Sequence, residues 1–116
     1  MKNALPVEAE LLAMATEFEV ASCRKWRWWI RVTRIDQPDG TYKWGVYYNR
    51  SEIWDRIAKD FVWDPQPSSR TKRYYIRTRF ATLLDAWKQA QKAVALIRTR
   101  DAQEEAEREE MRLKKR

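Results

Sequence analysis

Residues 24–34 read Arg24-Lys25-Trp26-Arg27-Trp28-Trp29-Ile30-Arg31-Val32-Thr33-Arg34, and the conformation of this run decides the fold. As a β-strand it sends successive side chains to opposite faces. Trp26, Trp28, Ile30 and Val32 then make an apolar face, while Lys25, Arg27, Trp29, Arg31 and Thr33 make a cationic one with an indole set into it. The parity recurs twice. In 41–48, Tyr42, Trp44, Val46 and Tyr48 oppose Lys43, Gly45 and Tyr47; in 72–80, Tyr74, Ile76, Thr78 and Phe80 oppose Arg73, Tyr75, Arg77 and Arg79. Each of the three segments therefore supplies one apolar and one basic, aromatic face.

Asp36-Gln37-Pro38-Asp39-Gly40 joins the first two segments. Pro-Asp presets a type I turn and Gly40 is free to take a positive φ, so the spacing predicts a hairpin. Pairing Arg34 with Tyr42 brings the two apolar faces into coincidence, with Val32 opposite Trp44, Ile30 opposite Val46 and Trp28 opposite Tyr48. On the other face Gly45 falls opposite Arg31, where it either admits a ligand or relieves crowding by the neighbouring Arg31 and Trp29.

Flanking elements follow from spacing. Pro6, Val7, Leu11, Met14 and Phe18 mark a short amphipathic helix, with Glu8 and Glu10 at its positive end. Ile53, Trp54 and Ile57 read as a short helix capped by Asn49 or Ser51, and Asp64-Pro65-Gln66-Pro67-Ser68-Ser69 as a loop. Thr82 with Asp85 resembles a capping box opening the main helix, whose stripe is Leu83, Trp87, Ala90, Val94 and Ile97. The expectation is one α+β domain over 1–99. A three-stranded antiparallel sheet within 24–80 is packed on one face by a long C-terminal helix over 82–98. A short helix precedes the sheet and another lies between strands two and three. Residues 100–116 form a charged tail, helical or disordered.

The 116 residues carry seven Trp, enough large apolar side chains for a core without staples. Cys23 is the single cysteine, which excludes an internal disulfide and fits a reducing, cytoplasmic setting. No signal-like start and no membrane-length apolar run is present in the sequence. The net charge of +7 is unevenly placed. Residues 1–20 hold one Lys against four Glu, a balance of −3; 21–100 hold eighteen Lys and Arg against seven acids, +11; 101–116 hold five against six, −1. The cationic charge thus belongs to the sheet-bearing middle and points to a polyanionic partner.

Catalytic chemistry has little to stand on. There is no histidine, and two glycines cannot make a Gly-rich phosphate loop. Each acid of the middle region (Asp36, Asp39, Glu52, Asp55, Asp60, Asp64 and Asp85) reads as a turn former, a cap or a solvated charge. The sequence implies no enzyme, no cofactor and no metal. Gly45-Val46-Tyr47 resembles the first half of the GIY-YIG nuclease signature, but no Tyr-Ile-Gly follows at the required spacing.

A Trp- and Arg-rich hairpin, a third strand and then Phe80-Ala81-Thr82-Leu83-Leu84-Asp85-Ala86 resemble the ending of AP2-type and integrase arm-binding domains. The resemblance implies a three-stranded sheet backed by one helix that presents Arg27, Trp29, Arg31, Arg73, Tyr75 and Arg77 to duplex DNA. The long insert over 49–69 departs from that pattern.

The functional expectation is a non-enzymatic nucleic-acid-binding protein, DNA favoured over RNA. Its site is Lys25, Arg27, Trp29, Arg31, Lys43, Tyr47, Arg73, Tyr75, Arg77 and Arg79, a face without a carboxylate in the three strands. The alternative is a small adaptor or inhibitor that grips an acidic protein surface, of the kind found among phage-encoded anti-defence (anti-CRISPR-like) or host-takeover proteins. Trp, Tyr and Arg also dominate protein interfaces. Exposure of Trp54 and Trp63 favours that alternative, and their burial extends the core. A third reading lays the acidic helix of Glu8, Glu10, Glu17 and Glu19 over the basic sheet as a mask, against the simpler and preferred one in which Val7, Leu11, Met14 and Phe18 close an open edge of the core.

Overall fold

A computed structural model describes residues 8–115. A helix α1 (Glu8–Met14) leads into five strands, β1 (Glu17–Cys23), β2 (Trp28–Asp36), β3 (Tyr42–Tyr48), β4 (Glu52–Asp55) and β5 (Asp60–Trp63). A 3-10 turn (Pro67–Ser69), a helix α2 (Lys72–Thr78) and a 32-residue helix α3 (Leu83–Lys114) follow. The strands form one sheet in chain order, every neighbouring pair antiparallel.

The sheet has five strands, not three, and the difference arises at three places. The expected first helix ends at Met14, its predicted start at Pro6 and Val7 lying outside the described residues. From Glu17 the chain pairs with β2, because Glu-Phe-Glu-Val alternates with the two-residue period of a strand. A bulge between Glu19 and Ala21 then resets the parity, so that Phe18, Ala21 and Cys23 all reach the core. The expected helix at 53–57 is instead the hairpin β4–β5. Ile53, Trp54 and Asp55 are consecutive and all buried, which a strand covered on both faces provides. Its turn carries no glycine; the Asp55 carboxylate accepts from the N–H groups of Ile57 (2.8 Å) and Ala58 (3.1 Å), and Lys59 takes φ 54°.

The expected third strand is α2. Thr71 caps it by accepting from the Tyr74 N–H at 3.2 Å, and Tyr74, Arg77 and Thr78 face inward at helical spacing. Only Phe80 keeps a strand-like role. It exchanges backbone hydrogen bonds with Trp44 (2.7 and 2.8 Å) on the edge of β3, at a point where β4 does not pair.

The β2–β3 register is displaced by two residues from the expected one: Arg34 faces Trp44, Val32 faces Val46 and Ile30 faces Tyr48. A shift of two preserves which side chains share a face. α3 lies on the apolar face. Ala86, Ala90 and Ala93 are wholly buried beside Val94 and Ile97, and these small residues let the helix settle onto Trp28, Trp44, Trp54 and Phe80. Thr82 caps α3 by accepting from the Asp85 N–H at 3.1 Å. Complete burial of Ile30, Val32 and Val46 contributes about 1.5–3 kcal/mol each. Past the sheet, α3 continues to Lys114 with residues 102–114 exposed, and the molecule measures 73 × 39 × 21 Å. Among the described residues no helix is long and apolar enough to cross a membrane.

Candidate nucleic-acid interface

The second sheet face, read from sequence as an open cationic surface, is largely closed by the molecule itself. The Arg31 guanidinium stands 4.2 Å from the Trp29 ring centroid and 5.1 Å from that of Tyr47. It donates to Glu17 at 2.9 Å and to the Asn49 carbonyl. Glu17 arrives on β1, opposite Thr33, and Glu19 lies opposite Arg31; the face therefore carries carboxylates, unlike the three segments from which it was inferred. The masking of basic charge by the acidic segment is realised at Arg31, by a strand and not by a helix.

The segment from 64 to 80 covers another part of that face, over β3 and β4. Arg77 donates to the buried Asp55 carboxylate through Nε at 3.0 Å and pairs with it at 2.6 Å through a terminal nitrogen. Burial pushes the Asp55 carboxyl up. The Ala58 N–H and the Arg77 guanidinium outweigh that effect, and the net result is a pKa below the ordinary value. Arg56 donates to the carbonyls of Ile76 and Arg79 (2.8 Å to the latter), placing a cation at the negative end of α2. Tyr74 donates to Asp64, and burial together with that carboxylate pushes the phenol up to about 12. Burial likewise raises Tyr47, half-buried beside Asp64.

The ten residues of the expected site are thus dispersed. Lys25 sits in the β1–β2 turn and pairs with Glu105 of α3, on the far side of the sheet. Arg27 is exposed in the same turn, and Trp29 lies half-buried beneath Arg31. Lys43 is exposed toward the opposite end of β3, Arg73 is exposed on α2, Tyr75 is partly exposed with its ring 5.2 Å from the Arg79 guanidinium, Arg77 is paired, and Arg79 is buried. Gly45 stands in a crowded place, but the crowding comes from Ile35, Tyr47 and Ile53 and not from Arg31 and Trp29. A Cβ there stands 2.8 Å from Ile35 Cδ1 and 3.0 Å from a Tyr47 ring carbon, so neighbouring side chains close over it.

An exposed combination of cations and an indole lies at the end of the sheet where two turns and the close of β5 converge. Arg27 (φ 54°) and Asn49 (φ 51°) occupy left-handed positions that fold the two turns back. Asn49 locks them together: its N–H donates to the Trp29 carbonyl at 2.9 Å and its side-chain oxygen accepts from the Trp29 N–H at 3.0 Å. A shallow hollow of about 590 Å³ opens there, lined chiefly by Arg27, Trp29, Arg50, Glu52 and Trp63. Trp63 is 70% exposed, whereas Trp54 is buried in the core. Neither Arg27 nor Arg50 pairs with a carboxylate among the described residues. Sequence reasoning passed over Arg50 because it stands in a turn. The position of Trp63 followed only from the hairpin that the missing glycine concealed.

A second hollow is lined by Ile57, Lys72, Arg73, Ile76 and Arg77, with Ile57 72% and Ile76 63% exposed. Among the described residues no group of three or more His, Cys, Asp or Glu is placed to hold a metal ion. No family model, curated protein or solved structure matches the chain.

Proposed function

We propose that this chain is a non-enzymatic nucleic-acid-binding protein, and that it binds through the turn-built end of the sheet. The observation that carries the reading is the exposed Trp63 indole, which lines one hollow with Trp29 and with Arg27 and Arg50, two guanidiniums that pair with no carboxylate among the described residues. A protruding indole with cations around it fits an unpaired base and its flanking phosphates, so a single strand suits this end better than a duplex. The positive balance of residues 21–100 adds long-range attraction to any polyanion. The flat three-stranded surface implied by the AP2-type resemblance is not part of this proposal, since its third strand is a helix.

Fluorescence anisotropy with labelled single-stranded DNA, single-stranded RNA and duplex DNA at two salt concentrations tests it. Trp63→Ala is expected to weaken single-strand binding by about 1–3 kcal/mol. Arg27→Ala and Arg50→Ala are each expected to lower the salt slope by about 0.7, one phosphate contact apiece. Binding that is unaffected in the folded triple variant contradicts the assignment.

A second reading, docking on an acidic protein surface, is favoured by two observations: the exposure of Trp63, although Trp54 is buried, and the exposed Ile57 and Ile76 flanked by Lys72 and Arg73. It becomes the better account if none of the three nucleic acids binds at low salt.

A further inference from the structure

At the end of β2 and β3 opposite the proposed nucleic-acid surface, a cavity of about 290 Å³ lies between the β2–β3 hairpin and the segment that runs into and out of α2. Ile35, Gln37, Pro38 and Lys43 line it from the hairpin, and Arg70, Tyr75 and Arg79 from the other side. Arg79 is the unusual member. Its residue is only 5% exposed, yet no carboxylate pairs with it among the described residues. The guanidinium is held between the rings of Tyr74 (5.4 Å) and Tyr75 (5.2 Å), and donates to Thr78 Oγ1 at 3.1 Å. These contacts fix its position and leave its charge uncompensated. A buried, unpaired cation is costly, and an anionic partner offsets that cost.

The surrounding charges agree. Lys43 makes no ion pair among the described residues, and Arg70 is partly neutralised by Asp64 at 3.3 Å. The one carboxylate lining the cavity, Asp36, pairs with Arg34 at 3.1 Å. Gln37 on the hairpin side and Tyr75 on the other add side chains that carry neutral donors.

We propose that this cavity is a binding site for a phosphate-type oxyanion, either inorganic phosphate or the phosphomonoester end of a small molecule. Arg79 is its buried anchor and Lys43 its clamp at the solvent side. The site is independent of the nucleic-acid surface: Trp29 and Ile35 mark the two ends of β2, about 20 Å apart at the rise of a strand.

Amide chemical shifts of the full chain, followed on adding inorganic phosphate or glycerol phosphate at constant ionic strength, test the site. Saturable shifts are expected at Gln37, Lys43, Tyr75 and Arg79, with the Trp63 indole unmoved. Tighter binding of glycerol phosphate identifies a small-molecule ester as the ligand, and equal or weaker binding identifies free phosphate. Lys43→Ala, a change at an exposed side chain, is expected to weaken affinity about tenfold. Arg79→Lys retains the charge but loses the fork, and is expected to weaken it further. Shifts that fail to saturate, that scatter over the exposed cations, or that persist unchanged in Lys43→Ala overturn the proposal. A Trp63→Ala variant that still binds phosphate shows that the two sites stand or fall separately.

Discussion

Asp55 is the residue on which the second layer of the molecule depends. It is buried at the end of β4, shapes the turn to β5 through the Ile57 and Ala58 N–H groups, and holds α2 through Arg77. Its folded-state pKa is lowered, so the ionised form is the one that the fold favours. The stability it contributes is fully present above the unfolded carboxyl value of about 3.9, and is lost as pH falls through the lower folded value. Asp55→Asn is expected to destabilise the protein by about 1–3 kcal/mol at neutral pH, toward the lower figure because Arg77 still reaches water. Urea denaturation at pH 7 and again near pH 3 checks this. The gap between wild type and variant narrows in acid if the ionised carboxylate carries the effect, and stays constant if only the shape of the side chain matters.

At the scale of elements, the strands with a strict two-residue alternation and the helix with a capped apolar stripe were legible in the sequence: β2, β3 and the sheet-packing part of α3. What escaped had a physical cause in each case. Spacing of four, three and four from Val7 to Phe18 hid the alternation that begins at Glu17. Lys59 in a left-handed conformation made a hairpin without a glycine to announce it. In 72–80 the inward residues of α2 are Tyr74, Arg77 and Thr78, polar groups that no hydrophobic period marks, while Ile76 points out. The projecting end of α3 is the opposite case, solvated and held by its own pairs, Glu104–Arg108, Glu109–Arg112 and Glu110–Lys114. Among the described residues, Lys25–Glu105 and Arg108, 4.9 Å above the Trp26 ring, tie it to the β1–β2 turn. Removing residues 109–116 is therefore expected to change stability by no more than about 1 kcal/mol. Ending the chain at Leu96 removes Ile97 and the Asp101 acceptor of the Trp28 indole (2.8 Å), and is expected to unfold it. Thermal melts of both truncations decide the point, and a large loss from the shorter deletion contradicts it.

Across the whole molecule, charge and fold combine in a way that composition alone does not convey. The sheet is covered by α3 on one face and by the 64–80 segment on part of the other, and this second layer absorbs Arg77 and Arg79, while Glu17 of β1 takes Arg31. The candidate site was legible in its residue types and in the inclusion of Arg27 and Trp29. Its location was not, because a basic face defined by parity says nothing about which other segments fold back upon it. The two proposed sites lie at opposite ends of β2 and β3, an aromatic and cationic rim at one and the cavity beside Arg79 at the other, with the hollow of the exposed Ile57 and Ile76 in addition to them. The most direct test of the first is the spectrum of the seven indole N–H groups during a titration with single-stranded DNA. The account predicts that Trp63 and Trp29 shift progressively while the core indoles of Trp28, Trp44 and Trp54 stay in place; indoles that all stay fixed while amides of the central sheet around Thr33, Gly45 and Tyr47 move contradict it.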